Sequence, residues 1–188
     1  MNQSKLTAAI EHLKSRQNEN PESLQEAMEE RKERIEFYQN FNSAKLLSMT
    51  EEVFYKYISR LWAMIIWGNK KFVVDKIIAD NGFKEVKEQL VNLLFGSDDI
   101  IKRWDTFLKK IKGMGPATIS ELLSYYYPDE YMIFNGATVK ALTHLEVQNL
   151  PKYNYQYTGK KFIEICKLGK QIAAEMKGQG IQDTTLLG

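Results

Sequence analysis

Apolar residues recur along this chain at helical spacing. Leu6, Ala9, Ile10 and Leu13 fall at i, i+3, i+4 and i+7, one face of a helix. Asn20-Pro21 followed by acids starts a second helix. Its EAMEERKERIE run provides i,i+4 charge pairs on a solvated surface. Thr50 is placed to cap a third helix, with Phe54, Ile58, Leu61, Trp62 and Ile65 as its stripe and Gly68 as its end. Residues 72–78 have the FVV content of a short strand, but Asn81-Gly82 is a helix-ending signal, so a helix is expected. Phe83, Val86, Leu90 and Leu94 mark the next helix, closed by Gly96. Ser97 is read as the cap of a helix over about 98–111, with Asp98 and Asp99 against its positive end. Further faces follow in Ile119, Leu122, Leu123 and Tyr126, in Val139 and Leu142, and in Phe162, Ile165, Cys166, Ile172, Ala173 and Met176.

The expected fold is therefore all-α, a compact multi-helix domain. Residues 1–67 hold no Gly and one Pro, which favours long helices there. A helical lead-in over 1–42 and a helical domain over 43–188 are the expected parts. Trp62, Trp67 and Trp104 are expected in or near the core, and Cys166 on an apolar face reads as a buried structural thiol.

Composition narrows the chemistry. The single Cys excludes a disulfide framework, a cysteine zinc site and a four-cysteine cluster. His12 and His144 have no second ligand at metal spacing, so neither a metal nor a cofactor is expected. No apolar run approaches the ~20 residues that span a bilayer. The amino terminus lacks the apolar stretch of a signal peptide, so a soluble cytoplasmic protein is expected. The formal net charge of +2 argues against a polybasic nucleic-acid binder, but it averages two unlike halves. Residues 1–100 carry 14 Lys and Arg against 16 Asp and Glu, whereas residues 101–188 carry 12 against 8. The basic excess lies in the second half, as a one-sided phosphate contact requires.

That half contains the informative stretch, KKIKGMGPATISELLSYYYPDEYMIFNGATVKALTHL, residues 109–145. The helix over 98–111 has Ile101, Trp104, Phe107, Leu108 and Ile111 on one side, and Lys102, Arg103, Lys109 and Lys110 on the other, with Lys112 just beyond. Gly113-Met114-Gly115 then reverses the chain, and Pro116 fits the first position of a second helix. The start of that helix offers free backbone N–H groups and a positive dipole end, the elements of a phosphate site.

Ile111, Gly113, Met114, Gly115, Ala117 and Ser120 resemble the helix-hairpin-helix motif, over about 98–127. The resemblance implies a grip on the backbone of double-stranded DNA without base reading. Met114 would be its apolar plug, and the amides around Gly113, Gly115, Ala117 and Thr118 would face a phosphate. Lys102, Arg103, Lys109, Lys110 and Lys112 would supply charge. The order of elements that follows, with YMIF at 131–134 as a short extended piece and then a helix over 136–145, is similar to the helix-hairpin-helix DNA glycosylase superfamily. There an Asp at the start of that next helix acts at the reacting sugar, and bifunctional members carry a Lys just after the Gly-apolar-Gly. Those positions fall on Asn135 and Ala117. An amide is no general base and alanine has no amine, so a non-catalytic scaffold is implied. Asn135 reads more simply as a helix cap. One alternative is a glycosylase or lyase with Asp129 or Glu130 as a displaced acid. Another is a helical protein-interaction module with an incidental glycine turn. Tyr125, Tyr126, Tyr127 and Tyr131 raise base stacking, but Tyr126 falls on the apolar face.

The runs WGNKKFVVDKIIADNGF and YPDEYMIFN resemble the region ahead of the AAA+ motor in McrB-type restriction proteins. That implies the targeting domain of a restriction-type system, with a C-terminal AAA+ motor or a nuclease as partner. The chain carries no Walker A pattern of its own, and its ending in DTTLLG suggests a module of a longer protein.

Overall fold

The computed structural model describes residues 1–181, 185 and 186. Among them the fold is all-helical, with no strand. The α-helices are α1 (Gln3–Glu19), α2 (Pro21–Gln39), α3 (Ser43–Ser48), α4 (Glu51–Ser59), α5 (Lys70–Asn81), α6 (Phe83–Phe95), α7 (Ile100–Lys110), α8 (Pro116–Tyr126), α9 (Gly136–His144) and α10 (Gly159–Gly178). Single 3-10 turns form at Trp62–Met64 and Asn154–Gln156. No helix among the described residues is long and apolar enough to cross a membrane.

The centre of the fold is α8. Every side chain from Ile119 to Tyr126 is buried, so this helix is enclosed on all sides rather than amphipathic. Its tyrosines tie it to its neighbours. Tyr125 stacks on Tyr38 of α2 with centroids 4.8 Å apart and rings 2° from parallel. The Tyr126 hydroxyl donates to the Phe41 carbonyl at 2.8 Å, and that of Tyr127 to the Leu94 carbonyl at 2.6 Å. Gln39 Nε2 donates to the carbonyls of Tyr125 and Tyr126, satisfying acceptors at the end of the helix. Because Tyr38 is fully buried and Ile35, Phe37 and Phe41 pack against the same core, that core runs across residue 42 without a break. A smaller cluster of Leu6, Ile10, Leu145 and Ile181 holds α1 against the end of α9.

Inside α8 lies one buried carboxylate. Glu121 is 1% exposed. It accepts from the Trp62 and Ala63 amides at 2.6 and 2.9 Å and from the Tyr125 hydroxyl at 2.9 Å. This corrects the expected third helix. The stripe predicted to run to Ile65 belongs to α4 only as far as Ser59. Leu61 turns extended, and the next two amides bond to Glu121 instead of continuing a helix. Beyond that turn Ile65, Ile66 and Trp67 are 63%, 82% and 50% exposed, so Trp67 is not a core residue. Trp104 is, stacked on Phe162 at 4.2 Å.

Two details at α7 also differ from expectation. Asp99, not Ser97, is the cap, accepting from the Lys102 amide at 3.0 Å, since a carboxylate three residues before that N–H is the stronger acceptor. Ile101 is 37% exposed, although the start of α10 packs on its main chain. A Cβ on Gly159 would lie 2.6 Å from the Ile101 carbonyl oxygen, so only glycine permits that approach. Residues 131–134 are irregular, and Phe134 is tied to α8 by its N–H, which donates to Ser120 Oγ at 2.8 Å.

Glu121→Ala is expected to leave two amides and a hydroxyl without an acceptor and to cost about 3 kcal/mol, read from urea midpoints. Glu121→Gln should cost less. Burial raises the Glu121 carboxyl above its ordinary 4.5, opposed by the amides of Ala63 and Trp62. A carboxyl whose folded pKa is raised stabilises the fold most below its unfolded value and loses that contribution as pH rises through the folded value. The stability of the wild type relative to Glu121→Gln should therefore fall as pH climbs above 4.5. A difference independent of pH would show that Glu121 does not titrate in this way.

Candidate nucleic-acid interface

The turn between α7 and α8 has three different residues doing three different things. Gly113 adopts φ +85°, where L side chains are strained, and a Cβ there would meet Ile77 Cγ1 at 3.0 Å. Met114 is 1% exposed and plugs the turn into the core. Gly115 has an ordinary extended backbone, and a Cβ there would find nothing within 4 Å. The fold therefore requires glycine at 113 but not at 115.

A clamp from another helix holds the turn. Asn81 at the end of α5 accepts from the Lys112 amide at 2.7 Å and donates to the Lys112 and Ile77 carbonyls at 2.9 and 2.7 Å. The sequence marked Asn81 only as a helix-ending residue, and nothing local reveals a bond that spans 31 positions.

The first turn of α8 is unusual in this molecule. Among the described residues every α-helix except α6 and α8 has a side chain of Asn, Asp or Thr accepting from its first turn. At α8 the capping position is Gly115 and Pro116 follows, so the Ala117 and Thr118 amides face no capping side chain. These first-turn residues are also the only part of α8 that reaches the surface, while the rest is buried. The positive end of a buried helix is thus presented bare.

Of the five expected basic residues, the structure leaves two unpaired. Lys109 and Lys112 are exposed and carry no ion pair among the described residues. Lys110 Nζ lies 3.4 Å from Glu85, and Lys102 pairs with Asp98 at 2.9 Å. Arg103 is a correction: its guanidinium is half-buried and donates to the Leu93 carbonyl at 2.7 Å, as a cation settles at a helix C-terminus. It stabilises the end of α6 and is not part of an open basic face.

Asn135 caps α9, its Oδ1 accepting from the Thr138 amide at 3.0 Å. Asp129 and Glu130 are exposed beyond the far end of α8, an 11-residue helix about 16 Å long, so no acid comes from them to the hairpin. Tyr125, Tyr126 and Tyr131 are buried and offer no stacking face. Exposed aromatics lie elsewhere, at Trp67, Phe72 and Phe95 and at Tyr153 and Tyr155, the last two belonging to no apolar stripe, so that periodicity passes over them. Cys166 is buried, and burial pushes its thiol up to about 11. No three His, Cys, Asp or Glu residues stand together as a metal site among the described residues. Comparison of the chain with family models, with curated proteins and with solved structures returns no match.

The two glycines separate cleanly by substitution. Gly113→Ala should cost about 1–2 kcal/mol from backbone conformation alone, and more with the Ile77 contact. Gly115→Ala should be within about 0.5 kcal/mol of wild type. Asn81→Ala should cost about 1–2 kcal/mol through the loss of its bonds to the turn. Thermal and urea denaturation of the three variants checks the ranking, and equal costs at 113 and 115 would contradict this account of the turn.

Proposed function

We propose that this chain is a non-catalytic DNA-binding module that grips the phosphate backbone of duplex DNA through a helix-hairpin-helix formed by α7, the Gly113–Met114–Gly115 turn and α8. The observation that carries this reading is the uncapped first turn of α8, the one surfaced part of an otherwise buried helix, with open space over Gly115 and the unpaired Lys109 and Lys112 on the flanking turns. A phosphate there accepts from amides that the fold leaves without a capping side chain, next to two free ammonium groups. The rigid clamp at Asn81 means that no ordering of the turn has to accompany binding.

The resemblance to the glycosylase superfamily supports the same element order, while Asn135 and Ala117 supply neither acid nor amine. The module therefore binds without cutting. The resemblance to McrB-type proteins, carried by residues 67–83 and 127–135, adds a role for such a grip, the targeting of a restriction-type AAA+ motor or nuclease.

Binding of labelled duplex, followed by fluorescence anisotropy across a salt series, tests the reading. The slope of log K against log salt should fall in magnitude by about 2 in Lys109→Ala/Lys112→Ala, roughly 0.9 per lost phosphate contact. Lys110→Ala, whose partner is Glu85, should change it less. Ala117→Asp places a carboxylate where the phosphate would sit. An acid in a first helical turn favours the helix, so the fold should persist while duplex binding is lost. Unchanged affinity in both Ala117→Asp and the double lysine variant would remove this site.

A further inference from the structure

We infer that Tyr153 and Tyr155 form a stacking platform for an unpaired base of the DNA strand held at the start of α8. This rests on the DNA-binding reading above and adds the form of DNA that the module prefers.

The two rings are 61% and 77% exposed, lie 7° from parallel and have their centroids 5.7 Å apart. They are not on a loose loop. Gln156 Oε1 accepts from the amides of Lys152 and Tyr153 at 2.6 and 3.0 Å and closes a tight turn around them. At its far side the Tyr157 carbonyl accepts from Trp104 Nε1 at 2.9 Å, and the Tyr157 ring packs on Phe134 with centroids 4.6 Å apart. The segment is bonded to the core at Tyr157 and turns its two large rings outward, where more than half of each residue is exposed.

Between Tyr155 and the hairpin runs a cleft of about 430 Å³. Pro116, the first residue of α8, and Lys109 line it, together with Leu108, Tyr157 and Asp105. Leu108, Pro116, Tyr155 and Tyr157 give the cleft a part-apolar, aromatic lining that suits the face of a base, and Asn154 and Thr158 add polar groups at its edge. Asp105, whose Oδ1 accepts from the Gly159 amide at 2.8 Å, disfavours a phosphate in the cleft itself. The phosphate belongs next door, at the amides of Ala117 and Thr118 and the free Lys109, and the neutral base lies on Tyr155. A base inside a duplex is already stacked and cannot use this platform, so the occupant is an unpaired base at a gap or strand end.

Three DNAs of matched length separate the possibilities by anisotropy: a blunt duplex, the same duplex with a short single-stranded overhang, and that duplex with an overhang of abasic sugar-phosphate. The last keeps the charge and removes the bases. Wild type should bind the base-bearing overhang about fivefold or more tightly than the abasic one, the lower range of a base–aromatic stack. Tyr153→Ala/Tyr155→Ala should lose that difference and keep the blunt-duplex affinity, and Tyr155→Phe should keep both. Both positions are exposed, and an unchanged thermal midpoint verifies the fold of each variant. A preference that survives in the double alanine variant overturns the platform, as does wild type that treats the two overhangs alike. If blunt duplex still binds through Lys109 and Lys112 in that case, the platform alone fails. If none of the three DNAs binds, the DNA reading fails with it.

Discussion

A carboxylate that is 1% exposed holds this structure in its present form. Taking Glu121 out of water costs several kcal/mol, and the cost is met only because two main-chain amides and a phenol point at its oxygens. That demand reaches far beyond α8. It halts the helical course of the chain after α4 and folds Trp62–Met64 into a 3-10 turn, leaving Ile65, Ile66 and Trp67 at the surface. Arg34, paired with Glu30 at 2.7 Å, lies beside the same turn, its guanidinium 4.9 Å above the Trp62 ring and bonded to the Arg60 carbonyl.

The same burial determines what α8 can offer to a ligand. A helix enclosed along its length has one exposed feature, its first turn, and the positive end of its dipole is concentrated there. At every other α-helix among the described residues but α6, an Asn, Asp or Thr side chain covers that end. Here a glycine and a proline stand in their place, and neither brings a side-chain acceptor. Met114 below the turn and Asn81 beside it keep the backbone in position from two directions. The proposed phosphate grip uses backbone groups already in place, with the two lysines adding charge at the rim.

Much of the helical order was legible in the chain, because periodicity and capping are local. The helix over 72–78, the Asn135 cap, the turn at Gly113 and the buried Cys166 all follow from neighbours within a few positions. The misreadings share one cause. Arg103 looked like part of a basic face because helical spacing places it there, but the Leu93 carbonyl that takes its guanidinium lies on another helix. Lys110 looked free for the same reason, and Glu85 pairs with it from α6. Trp67 looked like core because a large aromatic at the end of an apolar stripe usually is, and Glu121 broke that stripe from a distance of 59 positions.

By itself, then, the sequence determined an all-α chain, the site of its glycine reversal and the absence of an acid at Asn135, since these depend on residue type and short spacing. Only the tertiary structure decided which charges remain unpaired, which glycine the fold requires, and which tyrosines face out. Those outcomes depend on contacts between elements distant along the chain, where a buried charge or an open carbonyl takes the nearest partner in space and overrides local preference.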